Sequence, residues 1–306
     1  MLGTKVDALA GSLTGFSVRA ITQPLDVLKI RLQLQIENIS PKNGGYYQSI
    51  PQAVSRIVRE EGVVALWKGH VPGQFLSILF TASEFYCFHT IADWYVPNFQ
   101  CQRTALNDAI AGAIAGAIST VICQPIDVVR TRLVGQGQFK VYHGVFHAMK
   151  RIMLDEGSSG FFKGLSPSLF LILPQTAISF ATYEKLKRAF SEITHNSYLL
   201  TPFSGAFAGC VSKTAVYPLD VAKKRFQVVG FEEARQYFGK LPTKTKTRLG
   251  LVTLSSVWQI FVQEGFRGLF KGWCPSMLKA AVTTSLTFTF FELYKSLLSD
   301  ATPKSL

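Results

Sequence analysis

The chain alternates long apolar stretches with short polar ones, and the long stretches come in pairs. Residues 6–36, 105–135 and 200–230 form the first member of each pair; residues 72–95, 167–190 and 275–298 form the second. A bilayer core about 30 Å thick needs about 20 helical residues, so all six are long enough. A helix satisfies its own backbone in hydrocarbon without closing a barrel, and these segments far exceed the roughly ten residues of a barrel strand. The pattern therefore predicts an all-α membrane protein with six transmembrane helices. Several segments carry charge, so lipid does not surround them on every side. Short amphipathic stretches near 50–60, 146–155 and 253–263 predict three helices lying along the membrane surface, one within each pair.

A threefold internal repeat underlies the pairing. Pro24-Leu25-Asp26-Val27-Leu28-Lys29-Ile30-Arg31 recurs as Pro125-Ile126-Asp127-Val128-Val129-Arg130-Thr131-Arg132 and as Pro218-Leu219-Asp220-Val221-Ala222-Lys223-Lys224-Arg225. Each copy is followed by a second element: Glu61-Gly62 with Trp67-Lys68-Gly69, Glu156-Gly157 with Phe162-Lys163-Gly164, and Glu264-Gly265 with Phe270-Lys271-Gly272. Each is preceded by a glycine pair, Gly11 and Gly15, Gly112 and Gly116, Gly205 and Gly209, which predicts close helix packing. Repeats at 5–97, 104–191 and 198–299 are too long for an ordinary solenoid. The aromatic residues beside Lys68, Lys163 and Lys271 read, with those lysines, as interfacial anchors.

Composition narrows this picture. The 306 residues are 48% hydrophobic and only 17% charged, below the usual quarter of a soluble domain, and 12% aromatic content excludes disorder. The net charge of +13 would suggest nucleic acid on a soluble protein. Here 22 of the 32 basic residues fall in 29–69, 130–164 and 223–272, all on one side of a six-helix bundle. That placement is the positive bias of a membrane protein, and no nucleic-acid motif accompanies it. The N-terminus shows no leader signature, so any organelle address is expected inside the chain. Cys87, Cys101, Cys123, Cys210 and Cys274 have no disulfide or metal spacing and are expected to be buried reduced thiols. His70, His89, His143, His147 and His195 are scattered, and no catalytic set or metal site stands out.

Proline inside a helix kinks it, so Pro24, Pro125 and Pro218 are expected to swing three helices toward a common axis. Each is followed by an acid at +2 and a base at +5, which share a flank of the helix. Around a threefold axis each acid meets the base of a neighbouring repeat. The expected ring is Asp26, Lys29, Asp127, Arg130, Asp220 and Lys223, with Gln33 and Gln227 bracing it one turn on and Val134 unable to. Ionisable groups in a membrane face a cavity or a partner. Such a ring closes a pore and can open again as water replaces each bond; a static ring that only holds the repeats together is the competing reading. A partial latch at the other end, Glu184 with Lys187 and Glu292 with Lys295, favours a gate. Helix two has His89 and Ala92 in place of that acid and base, so at most one of three outer pairs can form. Adding both charges there is expected to slow transport.

The triplicated Pro-x-Asp-x-x-Lys/Arg-x-Arg element with its Glu-Gly and aromatic-Lys-Gly companion resembles the mitochondrial carrier family over essentially the whole chain. The resemblance implies a six-helix, threefold pseudosymmetric bundle with three short matrix helices. It also implies the mitochondrial inner membrane, both termini toward the intermembrane space, alternating access to one central site, and cardiolipin as a lipid partner. Closed threefold geometry within one chain makes a monomer sufficient. Positions near Gln74, Gln175 and Lys279 lie at the family's level of substrate contact. Two stretches, Trp67–Ser77 and Val211–Arg235, are similar to the branch of the family that carries thiamine pyrophosphate, which implies import of that compound against nucleotides or thiamine monophosphate.

Charge argues in the same direction. Residues seven before Asp26, Asp127 and Asp220 lie about 20° away on the same helices: Arg19, Thr120 and Lys213. With Lys279 they predict a cationic cavity suited to a phosphorylated solute. Glu84 is the lone acid, either paired with Arg19 or Lys279 or meeting a cationic heterocycle. Thiamine pyrophosphate, with a diphosphate and a thiazolium, suits the pattern. The alternatives are a nucleotide or coenzyme A carrier, and a proton-leak or scaffold protein on the same fold.

Overall fold

The computed structural model describes residues 2–36, 46–98, 105–138, 140–193, 200–231 and 249–301. All its regular elements among these are helical. In chain order they are α1 (Leu2–Leu34), α2 (Ile50–Glu61), α3 (His70–Asn98), α4 (Ala105–Gly135), α5 (Val145–Glu156), α6 (Leu165–Ile193), α7 (Leu200–Ala215), α8 (Tyr217–Gln227), α9 (Leu249–Leu269) and α10 (Trp273–Ala301). One repeat is a long helix, a short surface helix and a second long helix. α1 packs along α10, α3 along α4 and α6 along α7, so the long helices close into a ring. Lys295 of α10 reaches Asp7 of α1 at 3.0 Å, which puts the two outermost helices' free ends at one end of the bundle.

Val63–Trp94, Asn107–Gly135 and Ser158–Ala189 are long and apolar enough to cross a membrane. α1, α8 and α10 carry more charge because Arg19, Asp26, Lys29, Lys223, Lys224 and Lys279 turn inward to a shared cavity. Pro24 and Pro125 lie inside unbroken helices. Repeat three differs: the chain leaves the helical ladder at Val216 (φ −92°, ψ 3°) and restarts with Pro218 in the first turn of α8, where its missing N–H leaves no bond unmade.

The short helices are held chiefly by their own repeat, with Phe231 of repeat three added to the second. Leu28, Leu32, Tyr46, Tyr47, Ala53 and Ile57 form one apolar cluster; Val129, Leu133, Tyr142, Ala148, Ile152 and Phe231 form the second; Tyr217, Val221, Ala222, Ile260 and Leu269 form the third. The glycines of the Glu-Gly and Lys-Gly elements turn the chain between surface helix and return helix. All six have φ between 69° and 83°, a region that side chains rarely enter.

A separate apolar knot joins all three repeats on the axis: Val27, Ile30, Leu34, Val134 and Val228. Leu34, Gly135 and Val228 each stand ten residues past their proline. A Cβ on Gly135 would lie 2.8 Å from Leu34 Cδ1 and 3.9 Å from Val228 Cγ1, so the bare glycine is what lets the leucine cross the centre.

Two expectations are corrected. The glycine pairs do not bring helices together in this conformation: nothing lies within 4 Å of a Cβ built at Gly11, Gly15, Gly112, Gly205 or Gly209. Only Gly116 has neighbours, Glu84 and Ile172; α1 meets α10 beside the first pair through other side chains, Ser17 with Tyr294 at 2.7 Å and Asp7 with Lys295. Among the described residues the thiols are free, but only Cys123 is buried; Cys87 is half-buried, and Cys210 and Cys274 are exposed. Cys101 and His195 lie outside the described residues.

Candidate functional site

The repeated acids and bases meet across repeats. Arg130 Nη2 lies 2.7 Å from Asp26 Oδ2, Lys223 Nζ 3.1 Å from Asp127 Oδ2, and Lys29 Nζ 2.7 Å from Asp220 Oδ2. Each base thus takes the acid of the preceding repeat, and the set closes on itself. Gln33 Nε2 donates to Asp220 Oδ2 and to the Tyr217 hydroxyl, both at 3.0 Å. Gln227 Nε2 donates to Asp127 Oδ2 at 2.8 Å. Val134 sits instead in the central apolar knot.

Two cations join that the spacing alone did not place there. Lys224 Nζ lies 3.0 Å from Asp127 Oδ1 and also donates to Thr131 and Gln227. Its counterparts are Ile30 and Thr131, so a base at this place in one repeat only was the available signal. Lys279 Nζ, expected to face substrate, lies 2.6 Å from Asp26 Oδ1. Asp26 and Asp127 therefore hold two cations each, and Asp220 holds one.

Above the ring is a cavity of about 370 Å³ lined by Arg19, Ser77, Thr120, Arg130, Lys223 and Lys279, among others. Six basic side chains (Arg19, Lys29, Arg130, Lys223, Lys224 and Lys279) stand against the three ring aspartates. That excess of positive charge in a desolvated pocket calls for an anion. Thr120 lines the wall, its hydroxyl donating to the Gly116 carbonyl at 2.7 Å. Arg19 donates to the Ser77 hydroxyl, and Ser77, absent from the sequence-based set, joins the lining. Lys213 is half-buried and has no ion-pair partner among the described residues.

Gln74 Nε2 donates to the Phe16 carbonyl at 3.2 Å, bracing α3 against α1; Gln74 is not among the residues lining this cavity. Gln175 lines a second cavity of about 390 Å³ with Thr176, Ser179 and Tyr183 of α6 and Gly205 and Ala208 of α7. Glu84 lies beside Gly116, its Oε1 3.7 Å from a Cβ built there. It pairs with neither Arg19 nor Lys279, and has no ion-pair partner among the described residues.

Outside the ring, each repeat builds a second charged cluster that the sequence reading missed. Arg31 grips Glu61 through two bonds of 2.6 and 2.8 Å; Arg132 grips Glu156 through two of 2.8 Å; Arg225 grips Glu264 likewise. Lys68, Lys163 and Lys271 complete the three clusters on the same glutamates. The clusters then reach the next repeat's helix end. Arg31 donates to the Val134 and Gln136 carbonyls, Arg132 to those of Gln227 and Val229, and Arg225 to those of Gln33 and Gln35. The three lysines are therefore not interfacial anchors; they point inward, while Trp67 and Phe162 beside them remain exposed. Burial alone would lift the Glu61 and Glu156 carboxyls, but bonds and charge from Arg31 with Lys68, and from Arg132 with Lys163, hold both below the ordinary carboxylate range.

At the opposite end of the bundle, Glu184, Lys187 and Glu292 form no ion pair among the described residues. Lys295 is held by Asp7, with side chains 54% and 47% exposed.

Comparison with known proteins covers the whole chain. The family described as "Mitochondrial carrier protein" matches residues 3–99, 102–194 and 194–302. The "Mitochondrial thiamine pyrophosphate carrier" of Bos taurus is 39% identical over 300 residues, covering 94% of this chain and 91% of its own. The Homo sapiens protein of the same name is 39% identical, covering 94% and 90%. The "Mitochondrial thiamine diphosphate carrier 1" of Zea mays is 34% identical over 315 residues, covering 94% and 92%. With three matched repeats, each built on the same helices and joined by one ring of ion pairs, the chain belongs to the mitochondrial carrier family.

Proposed function

We propose that this chain carries thiamine pyrophosphate across the mitochondrial inner membrane into the matrix by alternating access, exchanging it for nucleotides or thiamine monophosphate. The observation that carries the reading is the cation-rich cavity resting on a ring of inter-repeat ion pairs, in a chain whose relatives bear that substrate in their names. In this conformation the ring Asp26, Lys29, Asp127, Arg130, Asp220 and Lys223 is the shut matrix gate, braced by Gln33 and Gln227. Glu184, Lys187, Glu292 and Lys295 are the parted cytoplasmic gate. Both termini face the intermembrane space.

The substrate is proposed to lie with its diphosphate down on Arg19, Lys213 and Lys279 and its thiazolium up against Glu84. Gly116, which Glu84 faces, stands one turn above Thr120 on α4, about 6 Å along the helix. Gln175 lies on the way in. One chain encloses the path, so a monomer suffices. Cardiolipin is the lipid partner: a groove at the start of α10, lined by Leu32, Ile50, Phe266, Arg267 and Trp273, offers apolar walls and a basic rim.

The test is reconstitution into liposomes loaded with unlabelled thiamine pyrophosphate, nucleotides or thiamine monophosphate, with uptake of labelled thiamine pyrophosphate measured. Saturable exchange supports the reading; uptake of nucleotide or coenzyme A alone replaces it. Glu84→Gln is expected to weaken thiamine pyrophosphate exchange more than nucleotide exchange. An equal effect on both removes Glu84 from the site.

A further inference from the structure

We propose that Arg130 and Arg19, pinched together over Gly73, seat the diphosphate of the substrate, so that one arginine serves the anion and the ion-pair ring at once. Arg130 is the one guanidinium in a ring whose other bases are lysines. It is 8% exposed and spends one nitrogen, Nη2, on Asp26. Its Nε is buried and has no acceptor among the described residues. Arg19 repeats the pattern, giving Nη1 to Ser77 and leaving a buried Nε unmet. Both arginines line the cavity, and a guanidinium presents several donors in the fork that phosphate oxygens fit, so those not spent on Asp26 or Ser77 serve a phosphate.

The sequence builds the notch for this pair. Position 73 is Gly in repeat one, whereas its counterparts are Ser168 and Ser276. The Ser168 hydroxyl donates to the Gly164 carbonyl at 2.7 Å and lies 3.4 Å from Gln124 Oε1; the matching atom in repeat one, Gln23 Oε1, is buried without a donor. Loss of the serine side chain opens space beside it. The two arginines fill it: a Cβ on Gly73 would lie 3.0 Å from Arg130 Nε and 3.1 Å from Arg19 Nη2. Those two nitrogens are therefore within about 6 Å of each other. Two like charges so placed on a cavity wall, with Lys279 also lining that cavity, are reconciled by an anion between them.

The inference rests on the reading of a diphosphate-bearing substrate, and inorganic pyrophosphate tests it directly. Thermal unfolding of the purified full-length carrier in detergent is followed against pyrophosphate, with orthophosphate and sulfate as controls. Arg130→Lys keeps a cation for Asp26, as the other two repeats do, but removes the fork; Gly73→Ser restores the side chain of repeats two and three. Wild type is expected to show a saturable pyrophosphate-dependent rise in unfolding temperature. R130K, and G73S where it folds, are expected to need at least tenfold more pyrophosphate for the same rise, with the orthophosphate response changed less. R130K binding pyrophosphate as wild type does overturns the seat. An equal loss for pyrophosphate and sulfate also overturns it, since that marks general charge attraction only. Failure of the two readings is distinguishable. If liposomes exchange a different diphosphate ester while R130K loses pyrophosphate, the substrate reading falls and the seat stands. If wild type and R130K exchange thiamine pyrophosphate with the same KM, the seat falls and the substrate reading stands.

Discussion

The two ends of the bundle are built from the same kind of side chain and differ in almost every other respect. At the end that holds the ring three acids hold five cations, Gln33 and Gln227 brace two of the pairs, and three Arg–Glu–Lys clusters lock each repeat to the next. At the opposite end one half-exposed contact, Asp7 with Lys295, is all that Glu184, Lys187, Glu292 and Lys295 make among the described residues. Charge in the sequence is therefore not stability in the fold. A pair contributes according to how far it is removed from water and how many partners its charge would leave behind.

The sharpest way to break this comparison is to strike a cluster. Glu264→Gln strands Arg225 and Lys271, 6% and 5% exposed, and is expected to destabilise the fold by about 3–5 kcal/mol, read as a large drop in unfolding temperature or loss of folded carrier. A change no greater than that of an exposed pair removes the distinction. Next comes the ring. Asp127→Asn leaves Lys223 and Lys224 without their acid and is expected to reduce exchange in liposomes more than tenfold. Asp220→Asn, which frees Lys29 alone, is expected to reduce it less; the reverse order refutes the unequal loading of the three acids. Acid provides a third test. Glu61 and Glu156 have lowered carboxyl values when folded, so their contribution is complete above the ordinary glutamate value of 4.5 and disappears as pH falls through the lower folded one. Unfolding temperature is expected to hold from neutral pH to about 5 and then fall; loss already between pH 7 and 6 points to another group.

The end opposite the ring sharpens the comparison from the weak side. By the handedness of the ring, acid of one repeat to base of the next, Glu184 with Lys295 is the one outer pair the sequence allows. Ala92 is 3% exposed, so a lysine there displaces its neighbours, whereas exposed His89 accepts a carboxylate that Lys187 can meet. His89→Glu is expected to slow exchange roughly two- to fivefold, the scale of one exposed pair of about 0.4–1 kcal/mol. An unchanged rate counts against a gate at that end. Lys295→Ala carries the smallest expected effect, within about 0.5 kcal/mol of wild-type stability.

The ring was legible in the sequence because it is written three times. Pro, acid at +2 and base at +5 fix the partners once the copies are set around an axis. The fold was legible for the same reason, since helix pairs and surface helices recur in register. Other features depend on where side chains turn, which spacing alone does not fix. Lys68, Lys163 and Lys271 beside Trp67, Phe162 and Phe270 look like anchors until the side chains of Glu61, Glu156 and Glu264 are found buried behind them. The available clue was Arg31, Arg132 and Arg225, each seven residues past its proline, with no partner assigned. Ser77, which lines the cavity, stands three residues past Gln74 on α3. Which way the glycines of each pair turn is likewise not fixed by their spacing: five of the six meet no neighbour.

The axial contact of Leu34 with bare Gly135 and Val228 has a final consequence. It stands about 7.5 Å beyond Lys29 along α1, on the side of the ring away from the cavity. An apolar stopper at that place keeps dissolved ions from screening the pairs from below. Salt is then expected to weaken the ring only by entering from the cavity.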